Sequence, residues 1–307
     1  MGAAKRAVMV AATKQHVGKT TSCLAIVQGL LEKYGGTQAS SSVGFIKPVG
    51  QQHVSVTLSS DLLVANPISL RVDKDVRLFR EYFNMSSCDY TDMSPVVIPS
   101  GYTKKFLDGK ISPESQIKSI KEAFKNIYST HEFTVVEGTG HVGVGSIVQL
   151  DNARVASILG VDMIIIVNGG LGSAFDELAL NKLMCDHHGV KVRGVLVNKV
   201  KHGKEDMVRE YFSKALKQWD IPLLGVVPDA KFLESPSMID FEQLFKTELL
   251  CGKANRLRHF TNKTLVAMGL RRFMERLRTE NLSNTLFVTH ASRNDIILGY
   301  GEYNFIP

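Results

Sequence analysis

Three consecutive residues near the front of the chain could hold a triphosphate. Gly18, Lys19 and Thr20 close the segment TKQHVGKT, Thr13 to Thr20. If such a loop opens a helix, backbone amides and the helix N-terminus face the phosphates. The lysine then reaches the β and γ oxygens, and the threonine hydroxyl binds Mg²⁺. Thr13, His16, Val17, Gly18, Lys19, Thr20 and Thr21 are the candidate nucleotide contacts. The strict pattern has glycine where Thr13 stands, so the reading rests on the flanking elements, and a surface turn that spells Gly-Lys-Thr is the alternative.

Further acids and a lysine could complete such a site. Lys47 begins a Lys-Pro-Val-Gly segment after the apolar run Val43 to Ile46. A cation at the carboxyl end of a strand beside the phosphate loop suits an anionic substrate group, and a surface lysine stiffened by Pro48 is the plainer reading. Asp73 and Asp75 lie in the opening turn of a helix predicted through Phe83, where acids serve either the helix dipole or a metal. Glu137 ends a strand predicted from Phe133 to Val136, before Gly138, Gly140, Gly143 and Gly145. There it could contact Mg²⁺ or position water, or stand as an exposed acid in a glycine-rich turn.

The elements that must position these residues are legible from periodicity. Ala7 to Ala12 has the length and composition of a buried strand, and Lys19 to Lys33 carries helical spacing through Leu24, Val27, Leu30 and Leu31, with Gly35 and Gly36 ending it. His53 to Leu70 alternates poorly and reads as a loop. Ser112-Pro113-Glu114 opens a helix to about Tyr128. Helices at Asn152 to Leu159, Ala174 to Asp186 and Lys204 to Trp219 then alternate with strands at Asp162 to Val167, Arg193 to Val200 and Leu223 to Val227. Such alternation predicts an α/β fold with a mainly parallel sheet covered by helices on both faces. Ligands in that fold bind at the carboxyl ends of the strands, where Thr13, Lys47, Glu137, Gly169, Gly170, Asn198 and Asp229 fall.

At 307 residues and 44% hydrophobic, the chain can bury one large core and a small second one. Residues 251 to 280 hold eight Lys or Arg against Glu275 and Glu280, so nearly all of the net charge of +7 resides there. A solvated helix face explains that stretch better than a nucleic-acid patch, since no aromatic motif interleaves with it. From Gly252 we expect a helix through Val266, Leu270, Phe273 and Leu277, a strand Thr285 to Val288 and another helix from Asp295. This small α/β segment, 251 to 307, follows a main domain of residues 1 to 250 and is either an accessory lobe or the opening of a larger domain. No apolar run is long enough for a membrane span. The first strand begins too early to leave room for a signal peptide, and Arg6 spoils a myristoylation signal. A cytosolic, soluble protein is expected, with Cys23, Cys88, Cys185 and Cys251 as thiols rather than disulfides or zinc ligands.

Taken together, TKQHVGKT, Lys47 to Val49 (KPV), Glu137 to Gly140 (EGTG) and Asn198 in VNKV resemble the dethiobiotin synthetase family of P-loop ATPases, which includes the cobyrinic acid diamide synthases. The resemblance covers roughly residues 5 to 240. It is nearest to the N-terminal domain of some phosphotransacetylases, and residues 252 to 307 are similar to the opening of the DRTGG domain that follows there. It implies ATP with Mg²⁺ as cofactors, Lys19 on the phosphates, Lys47 facing an activated carboxyl or carbamate group, Asn198 at the adenine, and Lys19, Lys47 and Glu137 as the catalytic set. Thr20, Glu137 and one of Asp73 and Asp75 would ligate the metal. It also implies a homodimer with the second substrate near an interface spanning Gly169 to Leu183, a stretch in which Ala174, Phe175, Leu178 and Leu180 put apolar groups on more than one helix face. The chain departs from the family at Ala12, Lys14 and the loop Gly169 to Ser173, so the nucleotide half is kept better than the substrate half.

Two functions fit these residues: an ATP-dependent ligase of the cyclo-ligase or amide synthase type acting on an unidentified small molecule, and a nucleotide-sensing regulatory module. A GTPase is disfavoured, because Lys201 stands where the guanine-selecting aspartate of an NKxD motif would be.

Overall fold

A computed structural model describes residues 6–34, 42–57 and 69–304. Gly35, Gly36 and the middle of the His53 to Leu70 segment lie outside the described residues. The chain divides into two units, Met1–Asp229 and Ala230–Pro307. The first is built on six parallel strands: β1 (Arg6–Ala12), β2 (Val43–Ile46), β7 (Phe133–His141), β8 (Asp162–Asn168), β9 (Val192–Val200) and β10 (Leu223–Pro228), in the order β10-β9-β8-β1-β7-β2. Every pairing is parallel. Central strands of such a sheet are buried on both faces, which is why Val8 to Ala12 is uninterruptedly apolar and β7 is closed to solvent from Thr134 through Thr139.

Helices α1 (Lys19–Lys33), α5 (Pro113–Thr130), α6 (Asn152–Leu159), α7 (Gly172–His187) and α8 (Glu205–Leu216) cover the sheet. The Ser112 hydroxyl accepts from the Ser115 amide to cap α5, and Asp151 does the same for α6 through Arg154. Along α7, Ala174, Leu178 and Cys185 turn inward, and Phe175 stacks on Trp219 at 4.6 Å. Leu180 and Leu183 remain 71% and 64% exposed. Phe175 is thus committed to packing within its own chain, so the outward apolar face of α7 is carried by the two leucines.

The segment after Lys47 departs from the sequence reading. Between β3 (Val49–Gly50) and helix α2 (Lys74–Tyr82), strands β4 (His53–Thr57) and β5 (Ser69–Asp73) form an antiparallel pair. Their alternation is short but real: Val54 and Val56 face Val72 and Leu70 across the pair. Further on come α3 (Tyr90–Met93), β6 (Val96–Val97), which pairs with β3, and α4 (Tyr102–Leu107). Phe79 of α2 stacks on Phe45 of β2 with ring centroids 3.8 Å apart, both rings fully buried. That contact locks the first turn of α2 beside the end of β2, and so Asp73 and Asp75 beside Lys47.

The second unit contains α9 (Met238–Phe245), β11 (Asn262–Leu265), α10 (Leu270–Thr279), β12 (Thr285–Val288) and α11 (Asn294–Asn304). Val266 was expected in a helix, but β11 ends just before it and α10 starts at Leu270. β11 pairs in parallel with β12, and that pairing overrides the helical spacing. Val266, Phe273, Leu277 and Ile296 form its small core. All four cysteines are free thiols, and among the described residues no helix is long and apolar enough to cross a membrane.

Candidate functional site

The phosphate loop is shaped by two residues with left-handed backbone. His16 has φ 63° and Gly18 φ 84°. For histidine this conformation is uncommon, whereas glycine adopts it freely. Gly18 is the N-cap of α1 and brings no side chain to its first turn, which leaves the amides there open to an anion. It also needs to be glycine for space, because a Cβ at this position would collide with the Asn198 amide. Thr13 and Val17 are buried, His16 and Thr21 are exposed, and Lys19 and Thr20 are half-buried.

Four charged side chains converge beside the first turn of α1. Lys47 is 6% exposed, and its ammonium lies 2.9 Å from Asp73 Oδ1 and 3.6 Å from Glu137 Oε1 and hydrogen-bonds to Asp75 Oδ2. The Thr20 hydroxyl lies 3.2 Å from Glu137 Oε1 and 3.5 Å from Asp75 Oδ2. Thr20, Asp75 and Glu137 therefore converge, three of the four residues from which the resemblance draws a metal site. Asp73 differs: its carboxylate accepts from the Asp75 amide at 3.0 Å as the cap of α2 and from the Gln52 amide at 3.4 Å. Glu137 is fully buried, and its Oε2 has no hydrogen-bond partner among the described residues.

Burial alone would discharge Lys47, but Glu137, Asp73 and Asp75 outweigh it and hold the ammonium above its usual range. Burial pushes Lys19 down, opposed chiefly by Glu137. Burial likewise pushes the Glu137 carboxyl up, against the pull of Lys47 and Lys19.

Several residues that the sequence reading passed over hold these groups in place. Asn181, buried in α7, donates to the Thr13 carbonyl at 3.1 Å and accepts from the Val142 amide at 2.9 Å. Glu177, one turn earlier, takes the Thr13 hydroxyl and pairs with Lys14 at 2.8 Å. Asn152 bonds the Thr139 amide and the Thr139 and His141 carbonyls. Gly138 is glycine because a Cβ there would come within 2.7 Å of the Asn152 side chain, so close approach serves Asn152. Strand β7 continues to His141, so Glu137 sits inside a strand rather than at its end. The overlooked signal was an amide in an apolar stripe: Asn181 falls in helical phase with Ala174, Leu178 and Cys185. Asn198, read by resemblance as an adenine contact, donates to the Val17 carbonyl at 2.8 Å and supports the loop from beneath.

The family model described as AAA domain (AAA_26) matches residues 6–237. The chain belongs to this family. Within it, this is the dethiobiotin synthetase-like P-loop type that the quoted motifs resemble. A phosphate acetyltransferase from Nitrosomonas europaea is 25% identical over 299 residues, 94% of this chain. The chain spans only 38% of that relative's length. An ATP-dependent dethiobiotin synthetase from Methanocaldococcus jannaschii is 25% identical over 252 residues, covering 78% of this chain and 100% of that enzyme. Among solved structures, a plasmid partition protein from Borrelia burgdorferi aligns with a TM-score of 0.43 at 16% identity, over 74% of this chain and 91% of that one.

The state of Glu137 has a consequence for stability. A carboxyl whose folded pKa is raised contributes stability that is fully present below its unfolded value, 4.5, and lost as pH rises through the folded value. The parent chain is therefore expected to lose stability relative to Glu137→Gln as pH climbs from 4.5 toward neutrality. Urea midpoints of both proteins across that range measure it, and parallel profiles would show that Glu137 ionises as freely folded as unfolded.

Proposed function

We propose that the chain binds Mg²⁺-ATP at the loop Thr13 to Thr21 and uses it in the cytosol to activate a carboxylate or carbamate for amide or ring formation. The observation that carries this is the buried Lys47 ammonium beside Thr20, Asp75 and Glu137. A simple nucleotide pocket needs the loop and its lysine. A second cation, paid for by three buried carboxylates at the carboxyl end of the neighbouring strand, adds a group suited to charge on a transferred phosphoryl.

Thr20, Asp75 and Glu137 are the residues that would hold Mg²⁺. Their oxygens stand 3.2 and 3.5 Å apart about Thr20, comparable with the edge of about 3 Å in an octahedron of ~2.1 Å bonds, and the unpartnered Glu137 Oε2 is a further donor. An ion held by these residues would be completed by phosphate oxygens and water. When bound, the ion neutralises charge on the β and γ phosphates. The chain's own part is to seat the phosphates on the amides of Val17 to Thr20, hold Lys19 on their oxygens, and keep Lys47 cationic where an acceptor carboxyl oxygen attacks phosphorus. As that bond forms and ADP departs, the two ammonium groups offset the charge spread over the equatorial oxygens. Asn198 would combine its support of Val17 with the adenine contact.

A regulatory reading draws on one fact: the match to the phosphate acetyltransferase runs through nearly all of this chain, including most of the second unit. A module shared with a longer enzyme could sense ATP without consuming it. Turnover with ATP and Mg²⁺, screened against diamines with bicarbonate and against carboxylates, separates the two, since a sensor shows no acceptor-dependent phosphate release.

Lys19→Ala is expected to weaken binding of a fluorescent ATP analogue at least tenfold, about 1.4 kcal/mol, by removing a point charge from the phosphate cradle. Equal affinity would remove the loop as a nucleotide site. Glu137→Gln should keep nucleotide affinity within about tenfold yet lose turnover, because charge there matters more to the transition state than to ground-state binding. Parent-like hydrolysis would make Glu137 structural. For the proposed homodimer, Leu180→Glu with Leu183→Glu should give a folded monomer by light scattering during gel filtration; a parent chain that is monomeric at high concentration rejects the interface.

A further inference from the structure

The Asn181 amide in α7 spans two loops that the sequence separates widely. Its Nδ2 donates to the Thr13 carbonyl, at the entry to the phosphate loop, and to the Glu177 carbonyl one turn back at 2.8 Å. Its Oδ1 accepts from the Val142 amide, just beyond the strand that carries Glu137. The side chain is 9% exposed and lies on the helix stripe otherwise filled by Ala174, Leu178 and Cys185. An apolar residue would suit that stripe better if packing were its purpose, because a buried amide is tolerated only where its hydrogen bonds are made. Here one bond stays within α7, to Glu177, and the other two are made to elements of the site.

We infer that Asn181 is a positioning residue that sets the entry of the phosphate loop and ties it to the end of β7. The inference rests on the nucleotide reading only for its effect on affinity. Geometrically, the Thr13 carbonyl and the Val142 amide are held to one rigid helix, so the His16 to Gly18 turn starts from a fixed point and the residues beyond Glu137 keep step with it. Glu177 adds a second hold on the same loop through the Thr13 hydroxyl and Lys14. Because α7 follows directly on the loop Gly169 to Leu171, this helix mechanically joins that loop to the phosphate loop.

The test compares Asn181→Leu with Asn181→Asp and with Cys185→Ala, a truncation on the same stripe whose thiol faces Met163 of β8. Amide hydrogen exchange of the nucleotide-free chain is read over residues 13–21 and 141–146, and affinity is measured with a fluorescent ATP analogue. Asn181→Leu is expected to speed exchange in both segments and to weaken binding about tenfold, the order expected when buried backbone groups lose their partners. Asn181→Asp keeps an acceptor for the Val142 amide but has no donor for the Thr13 carbonyl, so faster exchange should be confined to residues 13–21. This second variant serves also if Asn181→Leu fails to fold. Exchange unchanged in both segments, or affinity lost only in proportion to a melting-temperature drop shared with Cys185→Ala, overturns the inference. Should Lys19→Ala bind the analogue as the parent does, the nucleotide reading fails, while the exchange data still decide the role of Asn181.

Discussion

The first unit depends on keeping an ammonium ion and three carboxylates together out of water. A lone buried charge costs several kcal/mol, and removing one partner of a buried ion pair is strongly destabilising. Lys47 comes from the end of β2, Asp73 and Asp75 from the opening of α2, and Glu137 from within β7, so the cluster is satisfied only when all three elements stand in their observed relation. The stacked rings of Phe45 and Phe79 fix two of them, and the parallel pairing of β2 with β7 fixes the third. Such a group is weak evidence for added stability, since apolar residues of equal volume would serve a fold at least as well. Its presence argues for chemistry.

A second constraint acts on the phosphate loop. Left-handed backbone at His16 and Gly18 shapes its turn, and the conformation must be held from outside because histidine does not favour it. Two amide side chains hold that loop, Asn198 beneath Val17 and Asn181 at Thr13, while a third, Asn152, holds the strand that carries Glu137. Each is buried and bonded to main chain, the arrangement that lets a polar group rigidify a site rather than weaken a core.

The family relationship and the sequence agree on the nucleotide half. They diverge in usefulness on the rest, because the relatives of similar identity carry different activities in their names and one of them is far longer than this chain. Function on such a scaffold is decided by the site and not by the fold, and the chain departs from the resemblance in the stretch Gly169 to Ser173.

By itself the sequence determined the parallel sheet and the elements around the phosphate loop, since near-continuous apolar strands alternating with amphipathic helices have few other ways to bury themselves. It also singled out Lys19, Lys47, Thr20, Glu137 and the aspartate pair as candidates, because loop, strand end and helix cap leave local signatures. Only the tertiary structure decided which aspartate joins Thr20 and Glu137 and which caps α2, since Asp73 and Asp75 are two residues apart with the same chemistry. It alone turned part of the supposed loop after Lys47 into a β pair, made Val266 follow a strand instead of starting a helix, and committed Phe175 to Trp219. Asn181, Asn198 and Asn152 took their roles the same way: a hydrogen bond to a main-chain group more than a hundred residues away, as for Asn181 and Asn198, leaves no pattern in local spacing. Such contacts exist only once the sheet has brought the ends of its strands together.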